Sequence, residues 1–222
     1  METGFARAVA DAIALLFPVV CGGCREPGCA LCPACRDALA PRGERILLTP
    51  EGGSVLAVDT ALAYEGRAAE TIRSLKQEGR TDLRRVLGAA LREALRAASA
   101  GERDLLAVPI PTSRRAMRQR GYRVVELLLR AAGAVPLRGL RWTRAVRDQR
   151  VLDRRARGAN LADALVARRL PAGARVVLVD DVVTTGATLL EARRALEEID
   201  VTVVGAVALA RTPLHARPGT RP

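Results

Sequence analysis

Aromatic residues, histidine and lysine are scarce in this chain. Aromatic residues make up 2% of the 222 positions and hydrophobic residues 49%, so the core has to be built from alanine, leucine and valine. Few aromatic rings also leave little material for the stacking platforms that bind single-stranded nucleic acids. The only histidine, His215, lies in a terminal segment rich in proline and arginine, and we assign it no role.

No apolar run is long enough to cross a bilayer. Phe5 to Val20 is apolar, but Arg7 and Asp11 interrupt it and Pro18 breaks it, so its longest uncharged run is Ala12 to Cys21. A membrane-spanning helix needs about 20 apolar residues, and this segment also lacks the basic start of a secretory signal. We expect an amphipathic helix that packs on the main domain, no transmembrane segment and a cytoplasmic protein.

The positive charge is regional. The net charge is +12, and of the 36 cationic residues all but Lys76 are arginine. The stretch Arg103–Arg169 holds 17 arginines and five acids, whereas the rest of the chain is balanced. A charge confined to one region favours a polyanionic ligand or partner over a role in general solubility.

All five cysteines fall within fifteen residues near the N-terminus. Two Cys-x-x-Cys pairs, Cys21/Cys24 and Cys32/Cys35, can place four thiolates around one tetrahedral Zn²⁺. Disulfides are the competing interpretation, but nothing in the sequence indicates an oxidising compartment. Cys29 and Cys32 also form a Cys-x-x-Cys pair, so spacing alone leaves the ligand set open. We prefer the outer pairing, Cys21/Cys24 with Cys32/Cys35, which closes the larger loop. The paired spacing favours structural zinc, and a catalytic metal is disfavoured because no histidine or open-site carboxylate accompanies the cluster.

Strand-like and helix-like patterns alternate along the rest of the chain. Hydrophobic spacing predicts the following elements: strands at Val55–Tyr64, Leu105–Pro111 and Val201–Ala208, and helices at Ala68–Gln77, Leu83–Ala98 and Met117–Ala132. Such alternation is typical of an α/β fold with a mostly parallel sheet flanked by helices. The predicted organisation is a helix and zinc module in residues 1–40, a linker in 41–54, a main domain in 55–212 and a flexible tail in 213–222.

The most informative segment is residues 176–188. Four apolar residues form a buried strand, and Asp180 and Asp181 follow where we expect that strand to end. A polar loop then precedes a helix predicted to begin near Leu189; it consists of Thr184, Thr185, Gly186, Ala187 and Thr188. Ligands of open α/β sheets bind where strands end and helices begin, and the helix N-terminus there suits a phosphate.

A capped helix is the simpler explanation of the same segment, since Thr and Asp are common N-cap residues. One cap needs one side chain, however, and this segment supplies five polar ones, two from the acidic pair and three from the threonines. Hydroxyls and a glycine can surround a phosphate, whereas Asp180 and Asp181 suit sugar hydroxyls or a Mg²⁺ that the ligand holds. The segment therefore predicts a site for a phosphorylated ribose.

The segment closely resembles the 5-phosphoribosyl 1-diphosphate (PRPP) signature of type I phosphoribosyltransferases. In that family the acidic pair contacts the ribose hydroxyls, and the Thr/Gly loop surrounds the 5-phosphate. The resemblance implies Mg²⁺-dependent PRPP binding through Asp180, Asp181, Thr184, Thr185, Gly186, Ala187 and Thr188.

Further segments resemble ComF-type proteins, a branch associated with bacterial competence that often carries an N-terminal zinc finger. They are Tyr64-Glu65-Gly66, Ile72-x-x-Leu75-Lys76-x-x-Gly79, Val108-Pro109-Ile110-Pro111, Arg120-Gly121-Tyr122, and the spacing of Gln149, Leu152, Arg157 and Asn160. One departure is that Arg123 and Val124 stand where the family usually has Asn-Gln. The resemblance implies a type I phosphoribosyltransferase-like fold with a small four-cysteine zinc module at Cys21, Cys24, Cys32 and Cys35.

Cations and a lid complete the predicted site. The arginines that follow the Pro-Ile-Pro turn are candidate diphosphate contacts: Arg114, Arg115, Arg118 and Arg120. Lys76 is a further candidate, because a chain that uses arginine almost everywhere retains one compact ammonium there. The loop that contains Gln149, Arg157 and Asn160 is a candidate lid.

Two functions follow from these features. The first is phosphoribosyl transfer from PRPP to an unidentified acceptor, in a protein that serves DNA uptake and natural competence. The alternative is a non-catalytic accessory of transformation that senses PRPP or a nucleotide. It would bind single-stranded DNA through Arg103–Arg169 and contact proteins of the competence machinery.

Overall fold

The computed structural model describes residues 19–50, 53–100, 104–143, 163–171 and 173–213. The central element is a five-stranded sheet in the order β1-β2-β7-β6-β3. Its strands are β1 (Glu44–Leu48), β2 (Leu56–Ala63), β3 (Leu106–Pro109), β6 (Arg175–Val183) and β7 (Thr202–Arg211). Only β1 runs antiparallel to its neighbour. A separate antiparallel pair consists of β4 (Leu140–Trp142) and β5 (Leu165–Ala167).

Helices cover both faces of this sheet. The helices of the described residues are α1 (Pro33–Asp37), α2 (Gly66–Gln77), α3 (Arg84–Ala98), α4 (Arg114–Arg120), α5 (Val124–Ala132) and α6 (Ala187–Glu197), with a 3₁₀ turn at Thr81–Leu83. Successive residues of a strand point to opposite faces. Accordingly, Val177 and Val179 pack with α2, α3 and α5, whereas Val176 and Leu178 pack with α6. The predicted mostly parallel sheet with flanking helices is confirmed.

The segment that we predicted as a linker contains a strand. Residues 44–48 form β1, which pairs with β2 so that Glu44 lies opposite Thr60 and Leu48 opposite Leu56. The glycines and prolines on either side of this strand explain the error, because such residues normally indicate turns. This part of residues 41–54 therefore belongs to the main sheet.

The predicted helix Met117–Ala132 is two helices. Gly121, with φ +77°, ends α4 in the left-handed conformation, and α5 begins at Val124. Hydrophobic periodicity runs through this break, but glycine adopts positive φ without the steric cost that other residues incur. The break leaves Tyr122 and Arg123 in the connecting turn.

Polar contacts attach the small sheet to the main one. The Oε1 atom of Glu191, in α6, accepts the backbone N–H of Leu165 at 3.0 Å, and Arg194 donates to the Leu165 carbonyl at 3.0 Å. Trp142 donates its indole N–H to the Pro111 carbonyl at 2.7 Å. The small sheet thus contacts both α6 and the segment that follows β3. Within the described ranges, no helix is long and apolar enough to span a membrane.

Candidate functional site

The acidic pair lies close to the carboxyl ends of the neighbouring strands β3 and β6. Strand β6 continues past the pair to Val183, so both acids belong to the strand rather than to the loop after it. The backbone N–H of Ile110 donates to the Val179 carbonyl at 2.8 Å. The segment that leads from β3 to α4 therefore starts beside Asp180, at the edge where α/β proteins bind ligands.

Asp180 is half-buried and its charge is disfavoured. Burial, and then the negative charge of Asp181, raise the pKa of Asp180 to about 7. Its Oδ1 atom accepts the backbone N–H of Asp181 at 2.8 Å, which fixes the carboxyl orientation. A nearby cation, or hydroxyl groups that donate hydrogen bonds to the carboxylate, favour its charged form.

Asp181 forms an ion pair with the only lysine of the chain. The Nζ atom of Lys76, in the last turn of α2, lies 2.8 Å from Oδ1 of Asp181, and the side chains are 21% and 15% exposed. Burial would lower the pKa of Lys76, but the charge and hydrogen bond of Asp181 outweigh it, so the pKa is raised. The fold therefore brings Lys76 to the acidic pair from 105 residues away in sequence.

The Thr/Gly loop leads directly into α6. The helix begins at Ala187, whose backbone N–H is 3.4 Å from Oγ1 of Thr185, so one threonine hydroxyl is enough to accept this N–H. Thr184 is exposed and Thr188 is half-buried. The first turn of a helix presents N–H groups without intrahelical partners and the positive end of the dipole. The loop thus keeps hydroxyls and a helix N-terminus beside the acids.

Gly186 is required by its backbone conformation and by a close neighbour. Its φ is +78°, and a Cβ placed there would lie 2.3 Å from Cδ1 of Leu48. Leu48 belongs to β1, the strand that the sequence did not predict. The structure therefore gives this glycine a packing role that does not depend on a phosphate.

The candidate phosphate-binding arginines separate into two groups. The charge of Arg120 opposes the protonation of Lys76, so Arg120 lies within electrostatic range of the site. Arg114, Arg115 and Arg118 are exposed on α4. The candidate lid residues Gln149, Arg157 and Asn160 lie outside the described residues.

Arg123, the departure from the ComF-type pattern, contacts Glu126. Its Nε atom is 3.4 Å from Oε1 of Glu126, a side chain that also pairs with Arg130 and Arg138. Burial would raise the pKa of Glu126, but the hydrogen bonds and charges of these arginines hold it below its usual range. Arg123 therefore contributes to an ion-pair cluster at the start of α5.

The four cysteines of the outer pairing converge. The Sγ atoms of Cys21, Cys24, Cys32 and Cys35 all lie within 4.8 Å of one another. The Sγ atom of Cys21 accepts the backbone N–H groups of Gly23 and Cys32 at 3.4 and 3.3 Å. Burial would raise the pKa of Cys21, but backbone N–H groups lower it to about 6, which favours the thiolate that metals bind. Four sulfurs this close together suit a tetrahedral Zn²⁺, whereas the half-buried Cys29 lies outside the cluster.

Sequence reasoning did not anticipate the contacts around the last turn of α2. Tyr122 donates its hydroxyl hydrogen to the Leu75 carbonyl, and Ser74 donates to the Gly22 carbonyl at 2.8 Å. Both contacts join residues that are 47 or more positions apart. The spacing of residues along the sequence does not predict contacts between such distant positions, although Ser74 and Tyr122 lie within or beside the motifs described above.

Part of the chain matches a known family. Residues 120–219, 100 of the 222 positions, match the family model described as the phosphoribosyl transferase domain. The match includes the acidic pair and the Thr/Gly loop, and it supports a type I phosphoribosyltransferase-like protein. It begins after Lys76 and the cysteine cluster, so assignment to the ComF-type branch stays a prediction. A search of curated proteins finds no match.

Several solved structures are similar to the chain at low identity. A crystal structure of adenine phosphoribosyltransferase has 14% identity and a TM-score of 0.41, covering 80% of this chain and 89% of that chain. The adenine phosphoribosyltransferase of Saccharomyces cerevisiae, complexed with an imino-altritol bisphosphate and adenine, has 14% identity and a TM-score of 0.41 over 81% and 89%. That of Leishmania donovani has 13% and 0.36 over 85% and 87%.

Proposed function

We propose that this protein binds PRPP together with Mg²⁺ and transfers its phosphoribosyl group to an acceptor. The observation that carries the proposal is the arrangement at the ends of β3 and β6. There, two adjacent carboxylates, one ammonium and a Thr/Gly loop at a helix N-terminus lie together. The family match over residues 120–219 supports the same ligand class.

Each part of the site suits one part of PRPP. Asp180 and Asp181 would accept hydrogen bonds from the ribose hydroxyls and stabilise positive charge that develops at the anomeric carbon. Thr184, Thr185, Thr188 and the first N–H groups of α6 would hold the 5-phosphate. Lys76 and Arg120 would face the diphosphate, with Arg114, Arg115 and Arg118 as further cations beside it.

The transfer balances without a redox partner. A lone pair of the acceptor forms a bond to the anomeric carbon, and the bond from that carbon to the diphosphate oxygen breaks. The diphosphate leaves with the electron pair, and the acceptor loses a proton to solvent or to the diphosphate. Mg²⁺, with oxygen ligands from PRPP and the acidic pair, would neutralise the leaving charge.

The cysteine cluster would hold one structural Zn²⁺. All four ligands are thiolates, and this set leaves no open position for catalysis. The resemblance to ComF-type proteins, with their N-terminal zinc finger, supports a role in DNA uptake. We propose that the protein acts in the cytoplasm as part of natural competence.

A second candidate function is binding of single-stranded DNA. The observation that favours it is the exposed cationic face of α4, where Arg114, Arg115 and Arg118 have no acidic partner among the described residues. Phosphate-driven binding of this kind weakens steeply with salt. Exchange of these three arginines for glutamine should reduce both affinity and salt dependence, measured by fluorescence anisotropy. Exchange of three other exposed arginines removes the same charge elsewhere and serves as the control: Arg67, Arg85 and Arg96.

The transferase function is tested by diphosphate release. The protein is mixed with PRPP and Mg²⁺ and a panel of bases and amines, and released diphosphate is measured. We expect release above background with at least one acceptor. The release should be lost in Asp181→Asn and retained in Asp200→Asn, which makes the same substitution at an exposed position. PRPP binding without release for any acceptor would instead favour the sensing function.

A further inference from the structure

Polar contacts join the cysteine module to the last turn of α2 and to the residues just after it. Ser74, which is fully buried, donates its hydroxyl hydrogen to the Gly22 carbonyl at 2.8 Å. Arg80 donates to the Val20 carbonyl at 2.8 Å, and Glu78 forms an ion pair with Arg25. These polar contacts all involve residues 74–80, and Gly22 also packs closely against Leu83.

The metal-binding loop also packs tightly against the same helix. A Cβ at Gly23 would lie 2.6 Å from Sγ of Cys35 and 3.0 Å from Oγ1 of Thr71. Gly23 also donates its backbone N–H to Sγ of Cys21. The position of the sulfurs, and hence of any metal among them, is therefore tied to the surface of α2.

The other side of this turn faces the acidic pair. Residues two apart on a helix point in nearly opposite directions. Ser74 reaches the module, while Lys76 reaches Asp181 at 2.8 Å. Between them, Leu75 is buried in the core, and its carbonyl accepts the Tyr122 hydroxyl. A single turn of helix thus separates the cysteine module from the candidate PRPP site.

We propose that the metal-loaded cysteine module positions Lys76, with Ser74 as the residue that joins them. The inference rests on the proposed PRPP site for its functional consequence, but the positioning itself does not. Loss of the Ser74 link or of the metal lets the turn shift, so that Lys76 leaves its place beside Asp181. PRPP is then bound more weakly, because the site loses its one compact ammonium.

The single lysine allows a direct test. In protein labelled with ¹³C-lysine, the side chain of Lys76 gives the only lysine Cε resonance. We expect Ser74→Ala, with zinc still bound, to shift this resonance, and removal of zinc from the wild-type protein by a chelator to shift it in the same direction. Ser99→Ala is the matched control, since Ser99 makes only a local bond to the Leu95 carbonyl. A Lys76 resonance unmoved by Ser74→Ala would overturn the proposal.

Calorimetric titration with PRPP and Mg²⁺ tests the functional consequence. We expect Ser74→Ala to weaken binding by about threefold to tenfold, the worth of one buried hydrogen bond. In the Lys76→Met background, Ser74→Ala should have no further effect, whereas a merely structural loss would add to it. Additive losses would overturn the proposal. Absence of PRPP binding in every variant would instead refute the proposed function, while the lysine resonance still decides the positioning.

Discussion

At the scale of single residues, the central feature is a carboxyl group held in an unfavourable environment. Asp180 has a pKa of about 7 because burial and the charge of Asp181 oppose its ionisation. Functional sites often retain such groups at a cost in stability. The unfavourable environment of Asp180 agrees with the ligand-binding role that we propose for the acidic pair.

Asp180→Asn should stabilise the protein at neutral pH and above. The native carboxyl binds its proton more tightly than the unfolded one, so the contribution of Asp180 to stability falls as the pH rises from about 4 to about 7. The asparagine has no such charge and keeps the oxygen that accepts the Asp181 N–H. We expect a gain of about 2 to 4 kcal/mol at pH 8 in urea unfolding, shrinking towards pH 4. Equal stability of both proteins at pH 8 would contradict this assignment, and the exposed Asp200→Asn is the control.

Glu126→Gln should have the opposite effect at neutral pH and destabilise the protein. Glu126 is 4% exposed and accepts charge-assisted hydrogen bonds from Arg138 and Arg130. Its pKa is lowered, so its contribution is present above the unfolded pKa and is lost as the pH falls. We expect a loss of about 1 to 3 kcal/mol at pH 7 by chemical denaturation. A loss no larger than that of the exposed Glu93→Gln would show that the cluster contributes nothing.

At the scale of elements, the cysteine module is defined by which sulfurs converge. Cys29 could replace Cys35 by spacing alone, because Cys29 and Cys32 also form a Cys-x-x-Cys pair, but the fold leaves Cys29 outside the four. We expect one zinc per chain by elemental mass spectrometry, retained in Cys29→Ser and lost in Cys35→Ser. The reverse result, with zinc lost in Cys29→Ser and retained in Cys35→Ser, would mean that Cys29 rather than Cys35 is a metal ligand.

The contact between β1 and the Thr/Gly loop leads to a second prediction at this scale. Gly186 and Gly121 have nearly the same positive φ, but only at Gly186 would a Cβ meet a neighbour. Gly121→Ala should cost about 1 to 2 kcal/mol from conformation alone. Gly186→Ala should cost about 1 to 3 kcal/mol more because of Leu48. Urea unfolding of both variants, and of Gly186→Ala combined with Leu48→Ala, separates the two costs. Equal costs at the two glycines would refute the close approach.

At the scale of the whole molecule, the sequence predicted the features that depend on local spacing. The alternation of strands and helices and the Cys-x-x-Cys pairs are encoded within short windows, and the parallel sheet follows from the alternation. It did not predict β1, which lies among turn residues, or the break at Gly121, through which the apolar period continues. The strand β1 depends on a distant partner, β2, whereas the break follows from one glycine in the left-handed conformation.

The candidate site likewise combines features that are local in the sequence with contacts that only the fold creates. The acids and the loop form a contiguous motif, so their proximity was predictable. Lys76 could be singled out by its rarity, but its pairing with Asp181 arises only when α2 packs beside β6. The links from Ser74 and Tyr122 to that turn carry no local signal, and only the fold reveals them.

The central claim is that the acidic pair and the Thr/Gly loop bind PRPP. It is tested most directly by calorimetric titration of the zinc-loaded protein with PRPP in the presence of Mg²⁺. The account predicts saturable binding at one site per chain, lost in Asp181→Asn, retained in Asp200→Asn and dependent on Mg²⁺. Absence of binding to the wild-type protein, or equal binding to Asp181→Asn, would contradict it.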